Sequence, residues 1–395
     1  MNTANYDWSV PYPDDLPVFA SINGDRWLHR LQEEVLARSG SDEYRTTRVA
    51  DRKNLHTAYG GSLHSALLVE TPREGRVACH ILGTGIYKEE DVTPWIASIR
   101  AAIDRISENE TRSWQAIISQ DPARIDSGLI VLDETTSIGE MVFDAASRPY
   151  FELVNGSNLN SVTHAATFPI HVRGSSTGYS YESCMHEARK SLKLLCSLIS
   201  LVTRQTWLLR YGPDTHMLAD GTAIDGLFPM PEYSIYYPEE AKGLSRNFPV
   251  APLVITKEIA DSWSAVMTDK ILREALHTYH EALLLFGHGH ESYGLVALVG
   301  VVEHLGKDGL EGKHKFGDAL KVALGPELAE EYQKMAYGLR STTAHGGPLH
   351  ANEVAFGRSE LFELLADHKA QQFGEVKPVL QVASVRLLRK RLSLE

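Results

Sequence analysis

The sequence predicts an α+β domain followed by an all-helical domain, and three observations support that expectation. Strand-like and helix-like segments alternate through the first 245 residues. Five prolines (Pro229, Pro231, Pro238, Pro249 and Pro252) then fall close together, where they end helices and remove ladder donors from strands. From 253 onward, apolar residues recur at helical spacing almost without interruption. The expected domains are therefore 1–245, an α+β regulatory or recognition part, and 253–395, a helical bundle.

In chain order, LHRLQEEVLA (Leu28 to Ala37) has helical periodicity, and HSALLVET, GRVACHIL and GLIVLD read as short buried strands. Thr93-Pro94 is expected to open a helix running to about Glu108, with proline in the first turn, where its missing N–H is harmless. YFELV and TFPIHV read as strands, and an amphipathic helix is expected from Tyr181 to Thr203. After the prolines, Ile259, Trp263, Val266 and Leu272 begin one long stripe ending at Gly287. A second helix carries GLVALVGVVEHL, and a short third follows Phe316. In a fourth, Leu328, Tyr332, Met335 and Leu339 share one face before a stop at Gly346-Gly347-Pro348. SELFELLADHKA, from Ser359, is the fifth.

Composition narrows the class. With 395 residues, 43% hydrophobic and 23% charged, the chain has the balance of an ordinary globular protein. Three scattered cysteines, Cys79, Cys184 and Cys196, have no metal-ligand spacing and favour a reducing cytoplasm over a disulfide framework. The polar, acidic start MNTANYDWSVPYPDD does not read as a signal peptide. Apolar runs such as Leu195 to Val202 fall far short of the ~20 residues that span a bilayer, so no membrane partner is expected. The net charge of −12 is uneven: residues 251–395 hold 16 Lys and Arg against 19 Asp and Glu, together with 9 of the 17 histidines. That balance excludes a long non-specific RNA groove but allows a small basic pocket.

The string Tyr337-Gly-Leu-Arg-Ser-Thr-Thr-Ala-His-Gly-Gly347 holds the candidate chemistry. Arg340 and His345 stand five residues apart, about 140° around an ideal helix. Either the last turn unwinds, or a second copy of the helix completes the site. At a helix end, unsatisfied carbonyls and the dipole favour a protonated His345. Beside a permanently charged guanidinium, such an imidazole suits phosphodiester chemistry: it moves protons while arginine holds the phosphate. On spacing alone the better reading is an arginine that caps carbonyls and a histidine that ends a helix, because a lone R-x4-H is a weak pattern.

The string resembles the R-x4-H motif of HEPN domains, in particular the ApeA-like HEPN group, in which a tyrosine or apolar turn precedes the arginine, a small polar residue follows it, and His-Gly ends the motif. Tyr337, Ser341 and Gly346 match these positions. Glu303, in LVGVVEHL, resembles the family's glutamate on an upstream helix. The likeness covers Ile259 to about Ala370 and extends to EARKSLKLLCSLISLV with the following QTWLLRYG. One departure is Ser341, where many active relatives have Asn, Asp or His. The resemblance implies a metal-independent endoribonuclease, with Arg340 and His345 catalytic and no cofactor. It also implies an RNA substrate, a homodimeric unit, and service as a toxin or antiphage-defence effector with a phage-derived trigger. Some HEPN domains have lost catalysis and act as binding modules.

For the supporting residues, structural readings stand beside the functional ones. Glu303 either orients Arg340 or binds a nucleobase, or else pairs i to i+4 with Lys307. Ser341 and Thr342 either bond ribose or phosphate, or back-bond to helix carbonyls. His288-Gly-His290 with His345 and His350 hints at a metal site for water activation, but no carboxylate or cysteine spacing completes it, and a solvated turn is expected. The run Arg386-Leu-Leu-Arg-Lys-Arg-Leu reads either as an RNA contact or as a last helix with leucines inward. Neither a phosphate-binding glycine loop nor a nucleophile elbow is found in the first domain, which suits a sensor.

Overall fold

Period-two alternation in two strands and period-3.6 repetition in two helices meet in the core of the N-terminal unit. Leu67 and Val69 on one strand and Cys79 and Ile81 on the next face Trp27, Leu31 and Val35 of one helix and Trp95 and Ile99 of another. The computed structural model describes residues 6–12, 21–39, 44–50, 54–61, 65–72, 78–121, 129–132, 134–145, 150–155, 162–167, 169–214, 250–307, 309–345 and 368–394. Among them the chain divides into two compact units: Met1–Thr111 with Thr177–Cys184, and Arg112–Ser176 with Met185–Glu395. The architecture is α+β.

The first unit holds an antiparallel sheet of β1 (Trp8–Pro11), β2 (Tyr44–Ala50), β3 (Asn54–Gly61), β4 (Ser65–Pro72) and β5 (Ala78–Gly83), in the order β1-β5-β4-β3-β2. Helices α1 (Ser21–Ser39) and α2 (Glu89–Asp104) pack on each other. The second helix starts earlier than the sequence suggested: Glu89, Glu90 and Asp91 fill its first turn, matching the positive end of the dipole. Pro94 therefore lies inside the helix, where its ring removes one helical hydrogen bond. Arg105 joins Glu34 at 2.7 Å and Glu108 at 3.0 Å beyond the helix end.

The second unit contains a five-stranded sheet in the order β13-β6-β12-β9-β8, formed from β6 (Glu110–Gln120), β8 (Thr136–Ile138), β9 (Met141–Ala145), β12 (Ile170–Gly178) and β13 (Trp207–Asp214). β10 (Tyr150–Asn155) pairs with β11 (Val162–Thr167) as an antiparallel hairpin. β7 (Leu129–Val131) pairs in parallel with β14 (Val250–Pro252). The long helix α3 spans Tyr181–Thr203, the span its periodicity predicts.

Six further helices follow among the described residues: α4 (Lys257–Thr268), α5 (Lys270–Gly287), α6 (Glu291–His304), α7 (Gly312–Leu324), α8 (Pro326–Ala344) and α9 (His368–Arg391). The single stripe expected up to Gly287 is in fact two helices. Asp269 breaks it by capping α5, its carboxylate accepting from the Leu272 N–H at 3.1 Å. α7 begins ahead of Phe316. The helix expected from Ser359 lies outside the described residues until His368, as do Gly346, Gly347, Pro348 and His350.

These helices belong to the same compact unit as the second sheet. The buried His280 of α5 donates from Nε2 to the Trp207 carbonyl at 2.7 Å. Trp263 of α4 lies against Gly139, whose φ of +58° makes the tight β8–β9 turn. No described helix is long and apolar enough to cross a membrane.

Candidate active site

Gly325, at φ +88°, separates α7 from α8, and Pro326 opens α8 at a position suited to its fixed φ. The buried face of α8 is Ala329, Ala336, Leu339 and Thr343; of the expected Leu328, Tyr332, Met335 and Leu339, only Leu339 is fully buried. Leu328 is 47% exposed whereas Ala329 is fully buried. Small side chains line the face because α6 and α7 pack directly against it. α6 itself is apolar nearly all round, with Leu295, Leu298, Val299, Val301 and Val302 buried, the pattern of a central helix.

Tyr337 is the structural centre of the motif. Its ring lies 5.8 Å from that of Phe316, tilted by 49°. A Cβ at Gly312 would sit 3.2 Å from its hydroxyl, and φ of +51° at Gly312 brings the backbone this close. Three residues on, the Arg340 guanidinium lies over the Tyr337 ring, 5.5 Å from its centroid, a contact worth roughly 0.5–1 kcal/mol when exposed. The guanidinium is thus propped on the ring, half-buried, and no described residue accepts a hydrogen bond from it.

His345 is exposed and forms the C-cap of α8, its N–H donating to the Ser341 carbonyl at 3.2 Å. Helical bonding therefore persists to the histidine, and the last turn does not unwind. Arg340 and His345 leave the helix about 140° apart, and among the described residues no hydrogen bond joins them. Thr342 donates to the Gly338 carbonyl at 3.0 Å, the helix-internal role. Ser341 is half-buried and supplies the carbonyl that caps His345. Thr343 is 4% exposed, and its hydroxyl has no partner among the described residues.

Glu303 stands half-buried in the last turn of α6. The i to i+4 pair with Lys307 is not formed, because the helix stops at His304 and Lys307 lies beyond it. No described residue forms an ion pair with Glu303. His288 and His290 occupy an exposed turn around Gly289, at φ +78°. No group of three His, Cys, Asp or Glu among the described residues is arranged to hold a metal. The three cysteines are buried, and burial pushes the Cys79 and Cys196 thiols up to about 12, far from thiolate chemistry.

The closing cationic run is largely committed to packing. Leu387, Leu388 and Leu392 are buried, Arg386 donates to the Ala323 carbonyl at 3.1 Å, and Arg391 meets Asp269 at 2.7 Å. Sequence reading missed Gly312 and Phe316, the seat of Tyr337, since neither belongs to a motif. A glycine just ahead of a helical stripe was the available signal. No protein family matches this chain, and no curated protein or solved structure matches it either.

Proposed function

We propose that the chain is a metal-independent endoribonuclease of the HEPN type that cleaves RNA through attack by the ribose 2′-hydroxyl. The reading rests chiefly on the R-x4-H string, supported by one observation: it ends α8 with Arg340 propped on Tyr337 and His345 exposed. In this reading His345 takes the 2′-hydroxyl proton, and the resulting oxyanion attacks the adjacent phosphorus. The bond to the 5′-oxygen then breaks, and that oxygen receives a proton. The products are a 2′,3′-cyclic phosphate and a 5′-hydroxyl. Arg340 holds the non-bridging oxygens while charge builds on them. The cellular role is that of a toxin or antiphage-defence effector in the cytoplasm, with the N-terminal part as its sensor.

The test is cleavage of labelled RNA in EDTA, followed by mass spectrometry of the ends. Arg340→Ala and His345→Ala are each expected to lower the rate by 10²–10⁴-fold, the usual loss for a proton-transfer group. A single 2′-deoxy position at the cut site is expected to block cleavage there, because the nucleophile is gone. Full activity in both variants, or a 5′-phosphate product, would falsify the mechanism. A second reading, a HEPN-type module that binds without cutting, is favoured because no hydrogen bond among the described residues joins Arg340 to His345 within one chain. RNA left intact by wild-type protein that still binds it selects that reading.

A further inference from the structure

Around Tyr337 the backbone gathers more than the motif. Gly306, just past the end of α6, lies against the backbone of Lys315. Gln333 of α8 donates from Nε2 to the Lys313 carbonyl at 2.9 Å. Gly312 approaches the Tyr337 hydroxyl, and Phe316 its ring. The Leu310 N–H turns back onto the Lys307 carbonyl at 3.3 Å. Lys307 and residues 309–315 are thereby held at the same end of the helices as the tyrosine that carries Arg340.

That segment carries Lys307, Lys313 and Lys315 with His314, against Asp308 and Glu311. Lys307 and Lys313 are exposed and Lys315 is half-buried. No described carboxylate pairs with any of the three lysines or with Arg340. Two cations elsewhere on these helices are held in ion pairs, Lys377 with Glu291 at 2.7 Å and Arg391 with Asp269 at 2.7 Å. In a chain of net charge −12, three lysines with no described carboxylate partner, on a stretch of chain whose backbone meets Tyr337 and Gln333 of α8, create a local field suited to an anion. Lysines act as point charges that hold phosphate without reading bases.

We infer that Lys307, Lys313 and Lys315 form a subsite for the phosphates of single-stranded RNA flanking the bond held by Arg340. This rests on the nuclease reading and adds how the substrate strand is gripped: over a few nucleotides, and without sequence preference from these residues.

The experiment measures binding of a labelled oligouridylate to full-length His345→Ala protein across a salt series. Changing the three lysines to Gln is expected to reduce the log–log salt slope by about 2, at about 0.7 per lost phosphate contact on a single strand. Affinity at low salt is expected to fall roughly tenfold or more. The triple Lys→Arg variant is expected to restore both. A Lys307→Gln/Lys313→Gln pair, confined to exposed positions, is expected to lose about 1.4 of slope without changing the melting temperature. Parental affinity and slope in the triple Gln variant overturn the subsite, as does failure of the His345→Ala chain to bind RNA. Wild-type protein that cuts RNA while the Gln variant binds unchanged overturns the subsite alone. Lysine-dependent binding by a chain that never cuts overturns the nuclease reading and supports the subsite.

Discussion

His280 and His171 are two described residues through which proton concentration reaches the second unit. Burial holds the His280 imidazole below its ordinary range, against the opposing pull of the Trp207 carbonyl and of Glu281, while His277 and Lys193 push the same way as burial. His171 is lowered chiefly by burial too, with Asp144 opposing and Arg173 assisting, and it faces Gln115 at 2.7 Å. The unfolded chain takes up these protons near the usual value of about 6.5, before the native protein does. Their contribution to stability is therefore fully present above about pH 6.5 and is lost as pH falls toward the lowered native values. Urea midpoints are expected to drop between pH 7.5 and 5.5. His280→Gln keeps an N–H donor for Trp207 and is expected to flatten that dependence in part, leaving the share of His171. An unchanged slope in this variant rejects the assignment.

At the scale of elements, Asp269 shows how one side chain divides a stripe into two helices and ties the last helix back. Its carboxylate caps α5 and also receives Arg391 from α9. Burial alone would raise its pKa, but the Leu272 N–H and the Arg391 guanidinium hold it below the usual carboxylate range. Asp269→Ala is expected to cost about 1 kcal/mol, the typical loss of an N-cap. Asp269→Asn is expected to keep most of that, since an amide oxygen still accepts, and to lose only the ion pair. Equal losses in the two, measured by urea denaturation, would show that the cap contributes nothing.

Legibility of the sequence varies with the strength of each local signal. α3 was legible from end to end because twenty-three residues repeat one apolar face. β2 and β3 were not, because YRTTRVA and NLHTAYGG lack apolar alternation, and β2 closes one edge of its sheet. On α8, a reading by hydrophobicity chose Leu328 over Ala329 because it weighs bulk, whereas close helix approach selects small residues. The motif itself was visible, and so was its 140° offset. The seat of Tyr337 was not, because contacts between residues twenty or more apart leave no trace in periodicity.

At the scale of the whole molecule, the persistence of α8 to His345 bears on how many chains make one site. Helical geometry sends the two motif side chains about 140° apart, and the intact last turn removes unwinding as the local route to bringing them together in one chain. The composite site proposed for the nuclease is one in which a second copy, related by a two-fold axis, brings its His345 beside Arg340 of the first; closed dimers of this kind are the commonest oligomers. Light scattering is expected to give twice the monomer mass for the active protein. The sharper test mixes two inactive variants, Arg340→Ala and His345→Ala, and lets subunits exchange. In a composite site, each mixed dimer keeps one intact pair, Arg340 from the second variant and His345 from the first. Random exchange makes about half of the dimers mixed, so activity is expected to recover to about a quarter of the wild-type level. A site built within one chain gives no recovery, because every chain in the mixture lacks one member. Failure to recover, with exchange verified by differently tagged subunits, refutes the composite site while leaving cleavage by a single chain open to the mutant assay above.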